Sequence, residues 1–402
     1  MKGEKQGKHI FSRRNFFKKS ALGSTSLFIP PSIFHSNTQI KADKLSLSPR
    51  IQSPVKSRWY LDLSPAKWIW YPAERTLTNT FFLFRKQLIV TKPVKQATGW
   101  ILGESRYLLF CNGQRIQFGP APADPRYTEA DPLDLTKELQ QGENIIAVQV
   151  MYYGWGDGTL PVGKYGLLFQ LKLQFEDGSE EWVVSDDSWK VCLAKSWQPG
   201  QYKRWYLRAL QEEFDARLHP YGWGGNQFTE NEDWLTVKVI GEKANSPSLS
   251  TNADDYLYNA SGDAAQTELR KRMIPLVKEE ALPIKKLVEL QSVKWQRSPE
   301  EYFDLLTENA FAKGEKQPKL LEIKQGEAWE VSTEIKEEGF VVTFELDEQV
   351  VGWPYFIIEA SEGTTIELMV QEGHQTYSKG GPLIMNNHFH SWTRFICKAG
   401  FN

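Results

Sequence analysis

The stretch GWILGESRYLLFCNGQRI (residues 99–116) decides the fold class of this protein. Apolar and polar residues alternate on both sides of Asn112-Gly113, and aromatic and branched side chains are enriched. A period of two is typical of a strand with one buried face. Asn-Gly is a strong signal for a two-residue hairpin turn, because both turn positions need a positive φ. The stretch therefore predicts an antiparallel β-hairpin.

The same pattern extends along the chain in both directions. Alternating runs occur at FRKQLIV (84–90), NIIAVQVMYY (144–153) and YGLLFQLKLQFEDGSEEWVVS (165–185), with turn signals at Gln141-Gly142 and Asp177-Gly178. Regularly spaced strands without long intervening helices are typical of antiparallel sandwiches and jelly rolls. The sequence therefore predicts an all-β protein with two antiparallel β-sandwich domains. The first covers residues 66–240 and the second 319–402, and it stays open whether the second is complete.

Residues 241–318 have a different composition and predict a connecting region. KANSPSLSTNADDYLYNASGDAAQ (243–266) is rich in Ser, Asn, Asp and Ala, as exposed linkers and long surface loops are. SPEEYFDLLTENAFAKG (298–314) predicts one short helix at about residues 298 to 313. Ser298 is its N-cap, Pro299 its first residue and Glu301 the partner in a capping box. We expect this helix to pack over a sandwich edge.

The N-terminal segment, residues 1–42, has the pattern of an export signal. Arg13 and Arg14 follow Ser12, and a short apolar stretch follows them. That stretch is too short to span a bilayer. The S-R-R-x-F-F-K order resembles the signal of the twin-arginine translocation pathway, and a basic tail that binds acidic partners is the alternative. We therefore expect a periplasmic or extracellular protein with no membrane contact after removal of the signal.

Composition excludes several classes of partner. The formal net charge of −2 gives no overall field to attract nucleic acid or an anionic membrane. Three widely spaced cysteines argue against a disulfide framework and against a metal knuckle. His388 and His390 would share a strand face, but two ligands without a third predict an exposed loop rather than a metal site. We therefore expect no cofactor; no motif supports calcium, although its assistance stays open.

Aromatic residues make up 13% of the chain, with 15 tryptophans, and they mark the candidate binding site. YYGWGDG (152–158) places Tyr153 and Trp155 beside glycines, with Asp157 near the tip. Aromatic rings that stack on a sugar and a carboxylate that binds its hydroxyls are what saccharide recognition requires. A second segment, LHPYGWGGNQF (218–228), repeats the pattern with Tyr221 and Trp223 and would form the other wall. The alternative is a well-packed turn between strands.

An ordered series of segments resembles the bacterial α-L-rhamnosidase family. The segments are YLLFCNGQRIQFGPAPADPRYTEADPLDLTKELQQGENIIAVQVMYYGWGDG (107–158), LQFEDGSEEWVVSDDSWKV (173–191) and EEFDARLHPYGW (212–223). Together they are similar to the N-terminal β-sandwich module of that family. RMIPLVKEEALPIKKLVEL (272–290) resembles the crossing segment that follows it. VVGWPYFIIEASEGTTIELMVQEG (350–373) resembles the concanavalin-like sandwich that comes next.

The resemblance implies a role in recognition of a rhamnose-containing glycan rather than in catalysis. In this family hydrolysis takes place in an (α/α)6 barrel after the second sandwich, and this chain stops where that barrel would start. We therefore expect the N-terminal portion of an α-L-rhamnosidase-like protein, from a truncated or split reading frame. A separately encoded catalytic barrel is then a partner. The rival interpretation is a complete, stand-alone carbohydrate-binding or scaffold protein.

No catalytic residue is assigned from the sequence. Asp215 and Arg217, two apart in EEFDAR, point to the same side of a strand, where they predict a bidentate pair that fixes a loop. Asp215 as a general acid would need a second carboxylate across a cleft. The sequence identifies none, so the structural interpretation is favoured.

Overall fold

The computed structural model describes residues 56–154, 163–200, 209–241, 244, 268–284, 286–295, 311–313, 319–324, 328–332, 339–346, 348, 350–370 and 391–402. The regular structure in these ranges is β, apart from two short 3-10 helices at Pro125–Tyr127 and Ala216–Leu218. The predicted all-β class is confirmed.

Twenty-three strands are described. Strands β1 to β12 span Trp68–Trp70, Thr80–Val90, Val94–Glu104, Arg106–Cys111, Gln114–Gly119, Glu129–Asp134, Gly142–Tyr152, Gly166–Phe175, Glu180–Val184, Lys190–Leu193, Ala209–Asp215 and Leu235–Thr236. Strands β13 to β23 span Lys238–Gly241, Arg270–Lys271, Lys286–Trp295, Phe311–Lys313, Lys319–Lys324, Ala328–Ser332, Gly339–Glu345, Glu359–Ala360, Thr365–Val370, Ser391–Ile396 and Gly400–Phe401.

The N-terminal half is a two-sheet sandwich. One sheet has the order β13-β1-β8-β3-β6-β14, with β9 added beside β8; the other has the order β12-β10-β2-β7-β4-β5. All pairings are antiparallel except that of β14 with β6. The core between the sheets includes Trp70, Phe84, Phe169 and Trp189, all fully buried. Burial of each such side chain stabilises the fold by about 2 kcal/mol.

The predicted hairpin at Asn112-Gly113 is confirmed. Cys111 pairs with Gln114 across a two-residue turn, and φ is +51° at Asn112 and +82° at Gly113. The Asn112 side chain also holds the turn in place: its Oδ1 accepts from the amide of Ile145, and its Nδ2 donates to the carbonyl of Glu138. The turn residue therefore also ties neighbouring segments together.

The predicted connecting helix needs a correction. Phe311–Lys313, its last three residues, form strand β16, which pairs antiparallel with β15 from Val293 to Trp295. Ladder pairing to a neighbouring strand outweighs the helix propensity of Ala312 and Lys313, because tertiary context overrides local propensity. Residues 298–310 of the predicted helix lie outside the described part of the chain.

Two pairings connect segments that the sequence assigned to different domains. Strand β14, from the predicted connecting region, pairs with β6 of the sandwich. Strand β11 pairs in parallel with β22 near the C-terminus, and the buried Arg394 of β22 forms ion pairs with Glu213 and Glu367. The predicted domain boundaries stay predictions, but hydrogen-bonded ladders link the chain across them.

Candidate functional site

The structure separates the residues that the sequence predicted as one saccharide site. Tyr153 follows strand β7 directly and is half-buried, whereas Trp155 and Asp157 lie outside the described residues, as do Arg13 and Arg14 of the predicted signal. Trp223 is only 5% exposed. Its ring centroid lies 5.5 Å from that of Phe110 and 6.3 Å from that of Trp234. Trp223 is therefore a core side chain, and its neighbour Tyr221 is the exposed aromatic of that segment.

Tyr153 and Trp223 do not face each other across a cleft. The carbonyl of Trp223 accepts a hydrogen bond from Arg85 Nε, and Arg85 pairs with Ala147 of β7. Ala147 precedes Tyr153 by six residues, which is roughly 20 Å along a strand. The two aromatic segments thus occupy different parts of the six-stranded sheet.

The backbone of Tyr153 is fixed on both sides. Its amide donates to Ser105 Oγ (3.2 Å), and its carbonyl accepts from the amide of Asn79 (3.3 Å). Gly154 follows with a φ of +70°, where a Cβ would lie 2.9 Å from the Cα of Thr78. A glycine is required there because both the dihedral angle and the close approach exclude a side chain. Tyr153 is therefore held in one position beside the β3–β4 connection.

Glu104, the last residue of β3, is a buried carboxyl group whose charge acts on Arg106. Burial raises the pKa of Glu104 from its ordinary 4.5 to about 7, against the hydrogen bond from the Gly163 amide and the charge of Arg106. The Gly163 amide donates to Glu104 Oε1 at 2.7 Å, and a Cβ on Gly163 would lie only 3.1 Å from the carboxyl carbon. Near neutral pH this group therefore changes between hydrogen-bond donor and pure acceptor.

Arg106 interacts electrostatically with both Glu104 and Tyr153. Its guanidinium is 5.9 Å from the centre of the Tyr153 ring, and Nη1 donates to the carbonyl of Ser105 at 2.8 Å. Burial lowers the pKa of Arg106, and the nearby Tyr153, Glu104 and Asp131 act in the opposite direction. The guanidinium stays charged because its pKa starts far above neutrality.

A small pocket opens beside these side chains. It is lined by Leu102, Glu104, Ser105, Arg106, the Pro120–Ala123 segment, Thr128 and Glu129, with a cavity volume of about 20 Å³. Thr128 Oγ1 is buried and has no hydrogen-bond partner among the described residues. The cavity has room for about one water-sized group, such as a single hydroxyl, but not for a sugar ring.

A buried polar network lies next to the pocket. Asp131 Oδ1 accepts from Arg272 Nη1 at 2.7 Å, and both side chains are almost fully buried. Tyr107 donates to Asp131 Oδ2 at 2.6 Å, and Gln117 donates to the Tyr107 hydroxyl at 2.6 Å. A Cβ at Gly119 would lie 1.9 Å from Asp131 Oδ2. The network therefore depends on a glycine for its packing.

The arrangement is suited to recognition of hydroxyl groups. It offers a half-buried aromatic ring, a guanidinium, a carboxyl group with a pKa of about 7 and an unpaired hydroxyl. The sequence interpretation named Tyr153 but not Glu104 or Arg106. The signal for both was present, because GESR (103–106) interrupts two apolar strands with consecutive polar residues.

Asp215 has the structural role that the sequence predicted. Its two carboxylate oxygens accept from Arg217 Nε (2.9 Å) and Nη2 (2.7 Å), and Oδ1 also accepts from the Arg217 amide. The Arg217 guanidinium holds the pKa of Asp215 below its usual range. The pair caps the 3-10 helix Ala216–Leu218.

The described ranges contain neither a cluster of metal ligands nor a membrane-spanning helix. No group of three or more His, Cys, Asp or Glu side chains in those ranges is placed to hold a metal ion. Within the same residues, no helix has the length and apolar character needed to cross a membrane.

The sequence of the first sandwich is similar to that of known proteins. The α-L-rhamnosidase N-terminal domain family matches residues 92–255, which include Glu104, Arg106 and Tyr153. An α-L-rhamnosidase of Formosa agariphila is 26% identical over 197 residues, covering 44% of this chain and 20% of that protein. A second one from the same organism is 30% identical over 172 residues, covering 39% of this chain and 17% of that protein.

The fold itself has a solved counterpart. The GH78 family rhamnosidase of Bacillus sp. GL1 matches with a TM-score of 0.53 at 16% identity, covering 85% of this chain and 52% of that one. The chain thus spans about a fifth of the length of the curated relatives it matches and about half of this solved structure. Residues 92–255 therefore match an α-L-rhamnosidase N-terminal domain.

Proposed function

We propose that this chain is an exported, non-catalytic N-terminal portion of an α-L-rhamnosidase-like glycoside hydrolase. In this proposal it binds a rhamnose-containing glycan at the sandwich end around Tyr153. The observation that carries the proposal is the placement of Arg106 near the Tyr153 ring, with Arg106, Glu104 and Thr128 lining one pocket. An aromatic face together with a few fixed polar groups is the usual composition of a saccharide site.

The engagement of the buried carboxyl groups supports a non-catalytic role. Glycoside hydrolysis needs two carboxyl groups, roughly 5 to 10 Å apart, on either side of the scissile bond. Asp131 is committed to Arg272 and Tyr107, Asp215 to Arg217, and Glu104 to the Gly163 amide. A cavity of about 20 Å³ beside Glu104 admits a hydroxyl group but not a glycosidic bond.

Titration of the mature chain with L-rhamnose and with an aryl α-L-rhamnoside tests this proposal. We expect weak binding without release of rhamnose. Tyr153→Ala should weaken binding by a factor of roughly 2 to 10, since one stacked ring contributes about 0.5–1.5 kcal/mol. Tyr221→Ala is the matched control, because Tyr221 is an exposed tyrosine elsewhere on the sandwich. Turnover at an enzyme-like rate, or equal effects of the two variants, would contradict the proposal.

A specific observation favours a second role, which is support of a catalytic barrel. Val351, Trp353, Tyr355 and Ile357 form an apolar ridge on an extended segment, with Trp353 57% and Tyr355 86% exposed. Contiguous exposed apolar residues of this kind mark protein interaction sites. In this second proposal the ridge contacts a separately encoded barrel.

Co-purification with an α-L-rhamnosidase barrel that is expressed as a separate chain tests the second role. We expect the wild-type chain to bind the barrel and Trp353→Ser with Tyr355→Ser to bind it at least tenfold more weakly. Leu77→Ser, at an exposed apolar position on the first sandwich, is the control. If the wild-type chain binds sugars but no barrel, the stand-alone carbohydrate-binding or scaffold protein is the better description.

The proposal also includes export of the protein and rhamnose binding without a cofactor. The twin-arginine order of Arg13 and Arg14 supports transport to the periplasm or the extracellular space. Recognition through side-chain hydroxyls, a guanidinium and aromatic rings requires no metal. We therefore expect rhamnose binding to be unchanged after EDTA treatment, and its loss together with recovery on addition of calcium would show the opposite.

A further inference from the structure

The outer face of the seven-stranded sheet carries an open groove with a volume of about 720 Å³. Its lining includes Thr98 and Trp100 of β3, Asp134 of β6, Gln170 and Lys172 of β8, and Trp182 of β9. A volume of this size lies within the range of small-molecule and cofactor sites. None of these side chains belongs to the pocket beside Tyr153.

Strand register places these side chains on one surface. Trp182 pairs with Lys172, Lys172 with Thr98, and Thr98 with Asp134, so the four residues form one row across the sheet. The adjacent row contains Gln170 and Trp100. Residues two apart on a strand share a face, so both rows point away from the sandwich core. Trp182 and Trp100 are then roughly 12 Å apart, far enough to stack on two different rings of one ligand.

The two tryptophans are positioned by charged neighbours. Lys172 Nζ lies 5.5 Å from the Trp182 ring centre and 2.8 Å from Glu180 Oε2, so the ion pair holds the lysine beside the ring. Lys271 Nζ lies 5.9 Å from the Trp100 ring centre. Trp182 nevertheless remains 48% exposed. Its surface is therefore available to a ligand.

The side chains that line the groove carry no net charge. Lys172 is the lining cation and Asp134 the lining anion, and Thr98 adds a neutral hydroxyl. The almost fully buried Gln170 donates its amide to the carbonyls of Leu63 and Ser64. An anionic ligand would approach Asp134 and Glu180, and a cationic one would approach Lys172 and Lys271. Donors, acceptors and two aromatic faces without net charge suit a ligand that has both hydroxyl groups and apolar C–H faces.

We propose that this groove is a second saccharide site, which binds a neutral oligosaccharide across β9, β8, β3 and β6. It is separate from the pocket beside Tyr153, because the two have no lining residue in common. The groove follows the sheet face, so its ligand is a chain of several sugar residues rather than a terminal sugar. The two sites together allow the domain to contact one glycan at two points.

Nuclear magnetic resonance titration of the full mature chain with cellohexaose, xylohexaose and the anionic hexagalacturonate tests the proposal. We expect at least one neutral hexasaccharide to shift the Trp182 indole signal at millimolar concentration. Trp182→Ala should weaken that binding about tenfold. Tyr221→Ala removes an exposed aromatic ring that does not line the groove and should leave the affinity unchanged. Thermal melting of each variant identifies any loss of folding.

Three results would overturn the proposal: no response of Trp182 to either neutral hexasaccharide, equal loss of binding in Trp182→Ala and Tyr221→Ala, or tighter binding of hexagalacturonate. Thr98→Glu adds a charge at the centre of the row without removing an aromatic ring, and it should also weaken neutral binding. Tyr153→Ala separates this proposal from the rhamnose site, since it should change L-rhamnose binding and leave the hexasaccharide affinity as it is.

Discussion

Glu104→Gln should change the pH dependence of stability in a way that can be calculated. The folded-state pKa of Glu104 is about 7, whereas its ordinary value is 4.5. Between these two values the folded protein keeps a proton that the unfolded chain has released. The free energy of unfolding therefore falls as the pH rises from about 4.5 to about 7, and it levels off above that.

The size of the effect follows from the pKa difference. At 1.36 kcal/mol per pKa unit, the folded state loses about 3 kcal/mol relative to the unfolded chain once Glu104 is ionised in both. Glutamine has the same shape, is always neutral and still offers an oxygen to the Gly163 amide. We therefore expect Glu104→Gln to match the wild type near pH 4.5 and to be more stable by about 3 kcal/mol near pH 8.

Urea denaturation followed by tryptophan fluorescence, in steps from about pH 4.5 to about pH 8, measures this difference. Asp177→Asn is a control of opposite sign. Lys92 and Ser179 hold the pKa of Asp177 below its ordinary 3.8, so its contribution is present above that value and is lost as the pH falls. The free energy of unfolding of Asp177→Asn relative to the wild type should therefore change only below about pH 3.8. If the free energy of unfolding of Glu104→Gln differs from that of the wild type by the same amount from about pH 4.5 to about pH 8, the assigned pKa of Glu104 is wrong.

Further predictions concern the buried network, Trp155 and export. Arg272→Met should destabilise the protein by about 3–5 kcal/mol in urea unfolding, because it leaves Asp131 buried without its cation; Arg115→Met, which breaks the exposed pair with Glu279, should change stability by less than about 1 kcal/mol. Gly119→Ala should cost about 1–3 kcal/mol in the same measurement, since its Cβ would meet Asp131 Oδ2 at 1.9 Å, whereas Gly352→Ala has open space. Trp155→Ala should weaken rhamnose binding in calorimetry by about 0.5–1.5 kcal/mol, and no change would remove that loop from the site. Arg13→Lys with Arg14→Lys should leave the precursor in the cytoplasm in a fractionation assay, because ammonium groups lack the planar fork of the guanidinium pair; normal export would rule out the twin-arginine route.

Local patterns predicted the parts of the fold that depend on neighbouring residues. Asn112-Gly113 forms its hairpin because turn chemistry is decided within two residues. Asp215 and Arg217 form their predicted bidentate pair because they lie two residues apart. In β8, Leu167, Phe169, Leu171 and Leu173 lie in the core at every second position, as a period of two requires. None of these required knowledge of distant contacts.

Predictions failed where distant parts of the chain decide the environment. Trp223 was expected at a binding surface, but Phe110 and Trp234, from elsewhere in the chain, cover its ring. Phe311–Lys313 was expected to end a helix, but pairing with β15 makes it a strand. The pKa of Glu104 depends on burial and on Gly163, which is 59 residues away in sequence. A sequence pattern gives residue types, but it does not give the solvent exposure that determines their roles.

Because Glu104 is buried, the stability and the rhamnose affinity of one variant together distinguish a structural role of this residue from a role in binding. Above neutral pH an ionised Glu104 opposes folding by about 3 kcal/mol, and a glutamine would avoid that loss while keeping the bond to Gly163. If the group only packed the sandwich end, Glu104→Gln would gain stability at pH 8 with no other consequence. If it recognises a sugar hydroxyl, the same variant should be more stable and bind L-rhamnose more weakly, as is expected where function is retained at the expense of stability. Unfolding and rhamnose titration on this one variant therefore decide whether Glu104 belongs to the site, and increased stability with unchanged affinity would place it in the scaffold.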